Sequence, residues 1–314
     1  MSLAPKLVVV TRKSALEELV IRFGTRDRAR FYIERSSGDY AEYEAAHTTY
    51  QSARTTLKSA IPQGVRTQWI DRLFLPTFVF GPQDLVLTLG QDGLVVNVAK
   101  YLDHQPVIAI NPDPHRIDGV LLPFTLSQAG QALVRVLSGS PVCESVTMAQ
   151  VELNDGQRLL AVNDLFLGPR SHGSARYRIS HGGTSEIQCS SGVIVSTGAG
   201  STGWFRSILA GAAGVVEGFE QTERHRILRE SFRFPWDSRR LAFSVREPFT
   251  SRTSAATLVF GWIESQTEFI LESLMPNHGV IFSDGFEDDA LQFNSGSVAR
   301  IHIADRVLRL VRPG

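Results

Sequence analysis

The four residues Gly90-Gln91-Asp92-Gly93 set a carboxylate between glycines, directly after the apolar run Leu85–Leu89 and directly before a helical pattern from Leu94. In an open parallel sheet, ligands gather beyond the carboxyl ends of the strands, and a helix N-terminus there offers unpaired backbone N–H groups to an anion. A carboxylate at that point repels phosphate unless it orders a metal ion or takes a proton from a nucleophile, and phosphoryl transfer uses both. The plainer reading is that Asp92 N-caps the helix while the glycines serve the turn. A second cluster, Thr197-Gly198-Ala199-Gly200-Ser201-Thr202-Gly203-Trp204, follows the run Val193–Val195 and leads into another helical pattern. Its glycines lack Cβ atoms, which lets a ligand approach the backbone, and its hydroxyls can donate to phosphate or sugar oxygens.

Two shorter signals accompany these. Asn163-Asp164 places an amide beside a carboxylate after Leu159–Val162, a pair that reads an adenine edge or a ribose diol, or that simply makes an exposed turn. Asn111-Pro112-Asp113-Pro114 ends the run 106–110, where prolines fix a turn on the same sheet edge as Asp92, or a rigid loop and nothing more. Other constellations are incomplete. Gly198-x-Gly200-x-x-Gly203 has the dinucleotide spacing but no βαβ unit around it. Ala199-x-Ser201-x-Gly203 is one residue short of a nucleophile elbow; His225, His278 or His302 would have to supply its base, and the parallel sheet that precedes such an elbow is missing. The acidic residues Asp284, Glu287, Asp288 and Asp289 fit no EF-hand loop and are expected in a solvated turn. The eight histidines show no H-x-x-x-H spacing, so no metal ligand is assigned; two cysteines, Cys143 and Cys189, make neither a disulfide framework nor a thiolate zinc site.

The elements that must position these residues change character along the 314-residue chain. In the first 140 residues strand and helix signals alternate, which predicts an α/β domain with a parallel sheet. Leu7–Val10 reads as a buried strand. Ser14-x-x-Glu17 opens a helix that stops at Gly24, and Asp39-x-x-Glu42 opens a longer one ending before Pro62. Leu85–Leu89, a helix over Leu94–Leu102 and the strand Pro106–Ile110 form one βαβ unit. After about residue 140 the period becomes strand-like, with turn signals at Asn154-Asp155-Gly156 and His181-Gly182-Gly183 around alternating runs such as Ala175–Ile179. Further strands are expected at 241–245, 257–262, 267–271, 280–282 and 298–311, with one helical interlude over Trp204–Arg229. The expected division is an α/β domain over 1–140, a β-rich domain over 141–295, and a C-terminal segment, 296–314, that returns to the first domain.

Composition excludes several function classes. Lys and Arg together number 32 and so do Asp and Glu; with a pI of about 7.1 there is no basic footprint for nucleic acid. Only four of the bases are lysines (Lys6, Lys13, Lys58, Lys100), leaving 28 arginines. These are suited to bidentate phosphate contact but scattered as on a solvated surface. A 43% hydrophobic content is ample for a core. No apolar run reaches a membrane span and Met1–Lys6 shows no signal-peptide core, so a cytoplasmic protein without membrane or nucleic-acid partners is expected.

Taken in order, Gly90-Gln91-Asp92-Gly93, Asn111-Pro112-Asp113-Pro114, Asn163-Asp164 and Thr197–Trp204 resemble the NAD kinase family, with its GGDG motif, N-T-D-like turn, N-E pair and T-x-x-G-S-T-x-Y/W segment. The resemblance is closest to the mitochondrial-type branch, through Arg116 and Gly119 after the proline turn, Ser174-Ala175-Arg176-Tyr177, Ser190-Ser191-Gly192 and Arg246-Glu247-Pro248, and it runs from about residue 84 to the C-terminus. It implies an α/β N-terminal domain, an all-β, mainly antiparallel C-terminal domain, a site between them, and transfer of the ATP γ-phosphoryl group to the adenosine-ribose 2′-hydroxyl of NAD.

By the same resemblance Asp92 is the general base, Gly90, Gln91 and Gly93 form the phosphate loop, and Asn163, Asp164, Thr197, Ser201, Thr202 and Trp204 bind NAD. Asn111, Asp113 and Arg176 are further candidates. ATP and Mg²⁺ or another divalent cation are implied, with nucleotides as the partners and a homodimer or larger assembly. There are three departures from the family pattern: Gln91 replaces a glycine, Asp164 a glutamate and Gly203-Trp204 an Ala-Tyr. Gln91 could crowd the donor phosphates or be forced to positive φ. Two alternatives stand beside the kinase: a nucleotide sensor with little or no catalysis, motivated by Gln91, and a kinase of another hydroxylated acceptor, sugar or lipid, because diacylglycerol-type kinases share such G-G-D-G loops.

Overall fold

A computed structural model describes residues 6–139, 141–219 and 232–313. Residues 220–231, and with them His225 and the expected end of the helical interlude at Arg229, lie outside the described residues, as do Met1–Pro5. The chain divides into two compact units, residues 1–144 with 309–314, and residues 145–308.

In the first unit, β1 (Leu7–Thr11) is buried along its whole length, as a strand covered on both faces of a parallel sheet must be. Ser14 starts α1 (Ala15–Phe23) with a reciprocal capping box to Glu17, and Gly24 ends it at φ 82°. A helix not expected from the sequence follows, α2 (Arg26–Arg35). It buries only Ala29 and Ile33, so most of its sequence reads as polar surface. α3 (Tyr40–Ala60) is capped by Asp39 and buries Tyr50, Ala53 and Leu57. A strand also missed, β2 (Thr67–Asp71), pairs in parallel with β1; its half-exposed T-Q-W-I-D sequence lacks the apolar run of its neighbours.

β3 (Leu85–Leu89), α4 (Asp92–Ala99) and β4 (Pro106–Asn111) make the expected βαβ unit. They are followed by the two-residue β5 (Phe124–Thr125) and by α5 (Ala129–Leu137). The parallel order is β2-β1-β3-β4. Leu7, Val9, Leu87 and Ile108 on one face pack with Tyr50, Ala53 and Leu57 of α3 and Ala132 and Leu133 of α5.

The second unit is a β-sandwich. From β6 (Cys143–Leu153) the chain runs through β7 (Arg158–Ala161), β8 (Asp164–Pro169), β9 (Ala175–His181), β10 (Thr184–Ser190) and β11 (Val193–Ser196) to α6 (Trp204–Glu217). It continues through β12 (Arg240–Val245), β13 (Phe260–Glu264), β14 (Phe269–Ser273), β15 (Gly279–Ser283), β16 (Phe286–Gln292) and β17 (Val298–Val311). One sheet is antiparallel in the order β13-β12-β11-β8-β15-β16, and facing it are β10-β9-β14-β17 with β6 and β7.

Leu165, Val193, Phe243 and Ile281 from one sheet meet Val151, Tyr177, Phe269 and Ile301 from the other in a common core. Residues of opposite parity, such as Phe166 and Ile194, turn outward, where Phe205 and its neighbours on α6 cover them. From Arg309 the end of β17 pairs in parallel with β4, within the first unit.

The acidic run is not one solvated turn. Glu287, Asp288 and Asp289 lie in β16, which among the described residues pairs only with β15, at the sheet edge. Charges on an exposed edge strand discourage pairing with other chains. Asp284 lies outside that strand, in the turn between β15 and β16.

Candidate functional site

The strand order places β2 and β3 on opposite sides of β1, so the chain reverses direction across the sheet between β1 and β3. Beyond the carboxyl ends at such a switch point lies the usual ligand crevice of an open α/β sheet. Three loops meet there: Arg12-Lys13 after β1, Gly90-Gln91 after β3 and Pro112–Ile117 after β4. Together with Ser14, Ala15, Ala46 and Tyr50 they line a pocket of about 180 Å³.

Asp92 does not cap its helix. Gln91 occupies the N-cap position of α4 and makes no side-chain cap, and Asp92 is the first helical residue. The Asp92 carboxylate instead accepts the Leu121 backbone N–H at its Oδ1, 2.6 Å away. That loop is itself wound tightly. Asn111 donates its side-chain N–H to the Ile117 carbonyl and accepts the Asp113 N–H, while Gly119 turns the chain at φ 67°. Asn111 is therefore a loop brace. Asp113 lines the pocket and lies 4.0 Å from the Arg116 guanidinium.

Gln91 does not carry the strain expected of a residue in a glycine's place. Its φ is −90° with ψ 169°, ordinary extended backbone that accepts a Cβ. Gly90 cannot be exchanged so freely, because a Cβ there would sit 2.9 Å from Leu94 Cδ2. Gly93 is exposed in the first turn of α4. The Gln91 amide oxygen accepts a hydrogen bond from Arg12 Nη1 at 2.9 Å.

Sequence reasoning missed Arg12 and also Tyr50, which accepts the Arg12 N–H and donates its hydroxyl to the Leu89 carbonyl. Burial pushes that phenol's pKa up. The signal for Arg12 was its place immediately after β1, on the same sheet edge as Asp92.

In the second unit, Asn163 and Asp164 stand at the start of β8, beside the end of β11 and Thr197. Asp284 organises this turn. Its carboxylate accepts the backbone N–H groups of Val162 (3.0 Å), Asn163 (2.7 Å) and Asp164 (3.2 Å), and its own N–H donates to the Asp164 carbonyl. It does so from φ 55° in the Asp284-Gly285 hairpin turn, and that Asp-Gly pair was the sequence signal for its role. Asp164 is 6% exposed. Burial first, and the Asp284 charge second, raise its pKa from 3.8 to about 7.

The hydroxyls of the second cluster are largely committed to the fold. Thr197 donates to the Val162 and Asn163 carbonyls, Ser201 to the Gly198 carbonyl and Thr202 to that of Ala199. Two of the glycines, Gly198 and Gly200, are required by close backbone packing. A Cβ on Gly198 would lie 2.0 Å from the Pro235 carbonyl oxygen, and one on Gly200 would lie 2.0 Å from that of Asn163. Gly203 has room, its nearest contact 3.5 Å away. Trp204 stacks on Phe166 and Phe282 with Arg246 over its ring. Arg176 is exposed on β9, in the sheet opposite Asp164.

Among the described residues no three His, Cys, Asp or Glu side chains group to hold a metal ion, and no helix is long and apolar enough to cross a membrane.

The structure of yeast NADH kinase complexed with NADH matches 99% of this chain and 84% of its own, with a TM-score of 0.60 and 15% sequence identity. No family model and no curated protein sequence matches the chain. At that identity the likeness is one of fold: the chain has the two-domain architecture of an NAD kinase, an α/β unit followed by an antiparallel β unit.

Proposed function

We propose that the protein is an ATP-dependent NAD kinase that phosphorylates the adenosine-ribose 2′-hydroxyl of NAD to give NADP, with Asp92 as general base. The observation that carries this reading is the placement of Asp92. It sits at the carboxyl edge of the parallel sheet, beside the strand-order switch point, one oxygen fixed by the Leu121 N–H, in a fold shared with a kinase complexed with NADH. A carboxylate so oriented accepts the hydroxyl proton as the oxygen attacks the γ-phosphorus, a step worth roughly 10²–10⁴-fold in rate.

The phosphate loop is Gly90, Gln91 and Gly93. Asn163 and Asp164 supply the amide and carboxyl that grip the dinucleotide, on a turn held by Asp284 and Thr197, with Ser201, Thr202 and Trp204 adjoining. Mg²⁺ travels with nucleotide phosphates on one or two protein carboxylates and needs no all-protein cage. Asp113 at the first unit's sheet edge is the residue that would meet it, and the cation would neutralise the triphosphate. The extended φ of Gln91 removes the backbone strain that favoured a silenced sensor.

The test is direct: purified protein with ATP, Mg²⁺ and NAD, or NADH in parallel, is assayed for the 2′-phosphorylated product. Absence of product with either acceptor, alongside phosphorylation of a sugar or lipid panel, assigns the other-acceptor reading instead. Size-exclusion chromatography with light scattering tests the homodimer or larger assembly.

A further inference from the structure

Gln91 and Arg12 form a pair that the phosphate loop of a glycine-based motif could not make. Gln91 Oε1 accepts from Arg12 Nη1 at 2.9 Å, and the Arg12 Nε–H donates to the Lys13 carbonyl at 3.1 Å. The guanidinium is thereby oriented at the pocket wall with further N–H groups to give. Its charge is incompletely matched. Among the described residues its one ion-pair partner, Glu18, lies 3.9 Å away and is shared with Arg72, which approaches it more closely at 3.4 Å. Of the other cations lining the pocket, Lys13 is paired with Asp71 and Arg116 with Asp113.

The rest of the lining divides by chemistry. Ala15, Ala46, Pro112 and Ile117 present apolar surface, and Gly90 and Gln91 lead directly to Asp92. A cavity of about 180 Å³ is smaller than a drug-sized site and takes one end of a nucleotide.

We propose that Arg12 is the ligand for the donor's phosphates, and that Gln91 is a positioning residue that aims it. The pocket then takes the polyphosphate of a nucleoside triphosphate over Gly90-Gln91, next to Asp92. This rests on the kinase reading above and adds to it the group that selects the donor. A fixed guanidinium suits phosphate oxygens through parallel N–H donors. Gln91 holds Arg12 through a neutral amide, so it orients the cation without cancelling its charge, as a glutamate there would.

The experiment pairs two readouts on the full chain: titration calorimetry of ATP and, separately, of inorganic tripolyphosphate without acceptor, and steady-state KM for ATP and for NAD. Wild type is expected to bind both phosphates. Arg12→Ala should weaken both, and raise the KM for ATP, at least tenfold, with the KM for NAD unchanged; Arg12→Lys should recover part of the loss. Gln91→Gly should raise the KM for ATP about three- to tenfold, and Gln91→Glu at least as much. In the double variant Arg12→Ala with Gln91→Gly, the effect should not exceed that of Arg12→Ala alone, because Gln91 acts only through Arg12. Ala46→Trp, at an exposed helix position, should obstruct ATP and leave NAD unaffected.

Unchanged ATP binding in Arg12→Ala, equal losses for ATP and NAD, or fully additive effects in the double variant overturn the proposal, as does a wild type that binds neither phosphate. A wild type that binds ATP through Arg12 but makes no product with NAD or NADH overturns the kinase reading alone.

Discussion

The Leu121 backbone N–H lies 2.6 Å from Asp92 Oδ1, joining the first turn of α4 to a loop 29 residues further along the chain. One carboxylate oxygen is thereby oriented, and on the proposed reading the other takes the proton of the acceptor hydroxyl. Asp92→Asn keeps an oxygen for Leu121 but removes the base. It is expected to lower kcat by at least about 10² while the Kd for NAD, read by calorimetry, stays within about threefold. Parallel loss of NAD binding would show that Asp92 is structural.

Gly119 tests whether that orientation matters. An alanine there is strained at φ 67°, and its Cβ would meet Asn111 Nδ2 at 2.8 Å, so the loop carrying Leu121 must shift. Gly119→Ala is expected to cut kcat about tenfold, a loss of about 1.4 kcal/mol in transition-state stabilisation, with KM for NAD little changed. Unaltered kcat would mean that the Leu121 contact is dispensable.

Asp164 gives stability a pH dependence. Its folded pKa of about 7, against 3.8, means that the native state binds the proton more tightly than the unfolded chain. Its contribution therefore favours folding below about pH 4, declines as pH rises toward 7 and is fully lost above that. Asp164→Asn carries no such charge. Measured by urea unfolding, it should be more stable than wild type at pH 8, by up to about 4 kcal/mol at 1.36 kcal/mol per pH unit, with the gain vanishing near pH 4. A stability difference independent of pH would refute the buried-carboxylate account.

Asp284→Ala removes the acceptor for three backbone N–H groups. The expected cost is about 2–4 kcal/mol, offset in part by relief of Asp164, since hydrogen bonds to a charged group are worth about 1.5–3 each and are not additive. Asp284→Asn, which keeps one oxygen and tolerates positive φ, should cost less. NAD affinity should fall in the alanine variant even at temperatures where it is fully folded. A melting temperature and an NAD affinity both equal to wild type would remove Asp284 from the site.

Much of this architecture was legible because burial writes itself into local pattern. Leu7–Val10, Leu85–Leu89 and Pro106–Ile110 are covered on both faces and therefore read as apolar runs. The Ser14-x-x-Glu17 cap and the Asn154-Asp155-Gly156 and His181-Gly182-Gly183 turns depend on chemistry local to a few residues. What stayed hidden was set by neighbours distant in sequence. β2 is recognisable only through its pairing with β1, and β16 only through its pairing with β15. The Arg12–Gln91 contact spans 79 residues and the Asp284–Asn163 contact 121, so no window of sequence contains either pair. The plainer reading of Asp92 as a helix cap fails for the same reason: its partner, Leu121, lies beyond β4.

The close approach of Pro235 to Gly198, and of Asn163 to Gly200, has a consequence for reading mutant libraries. A screen scored on turnover alone will rank these two glycines with Asp92, because an added Cβ at 2.0 Å from a carbonyl oxygen denies the chain its native state. Soluble yield or a thermal melt recorded beside turnover separates the two kinds of zero. The glycine variants should vanish from both measurements and Asp92→Asn from one.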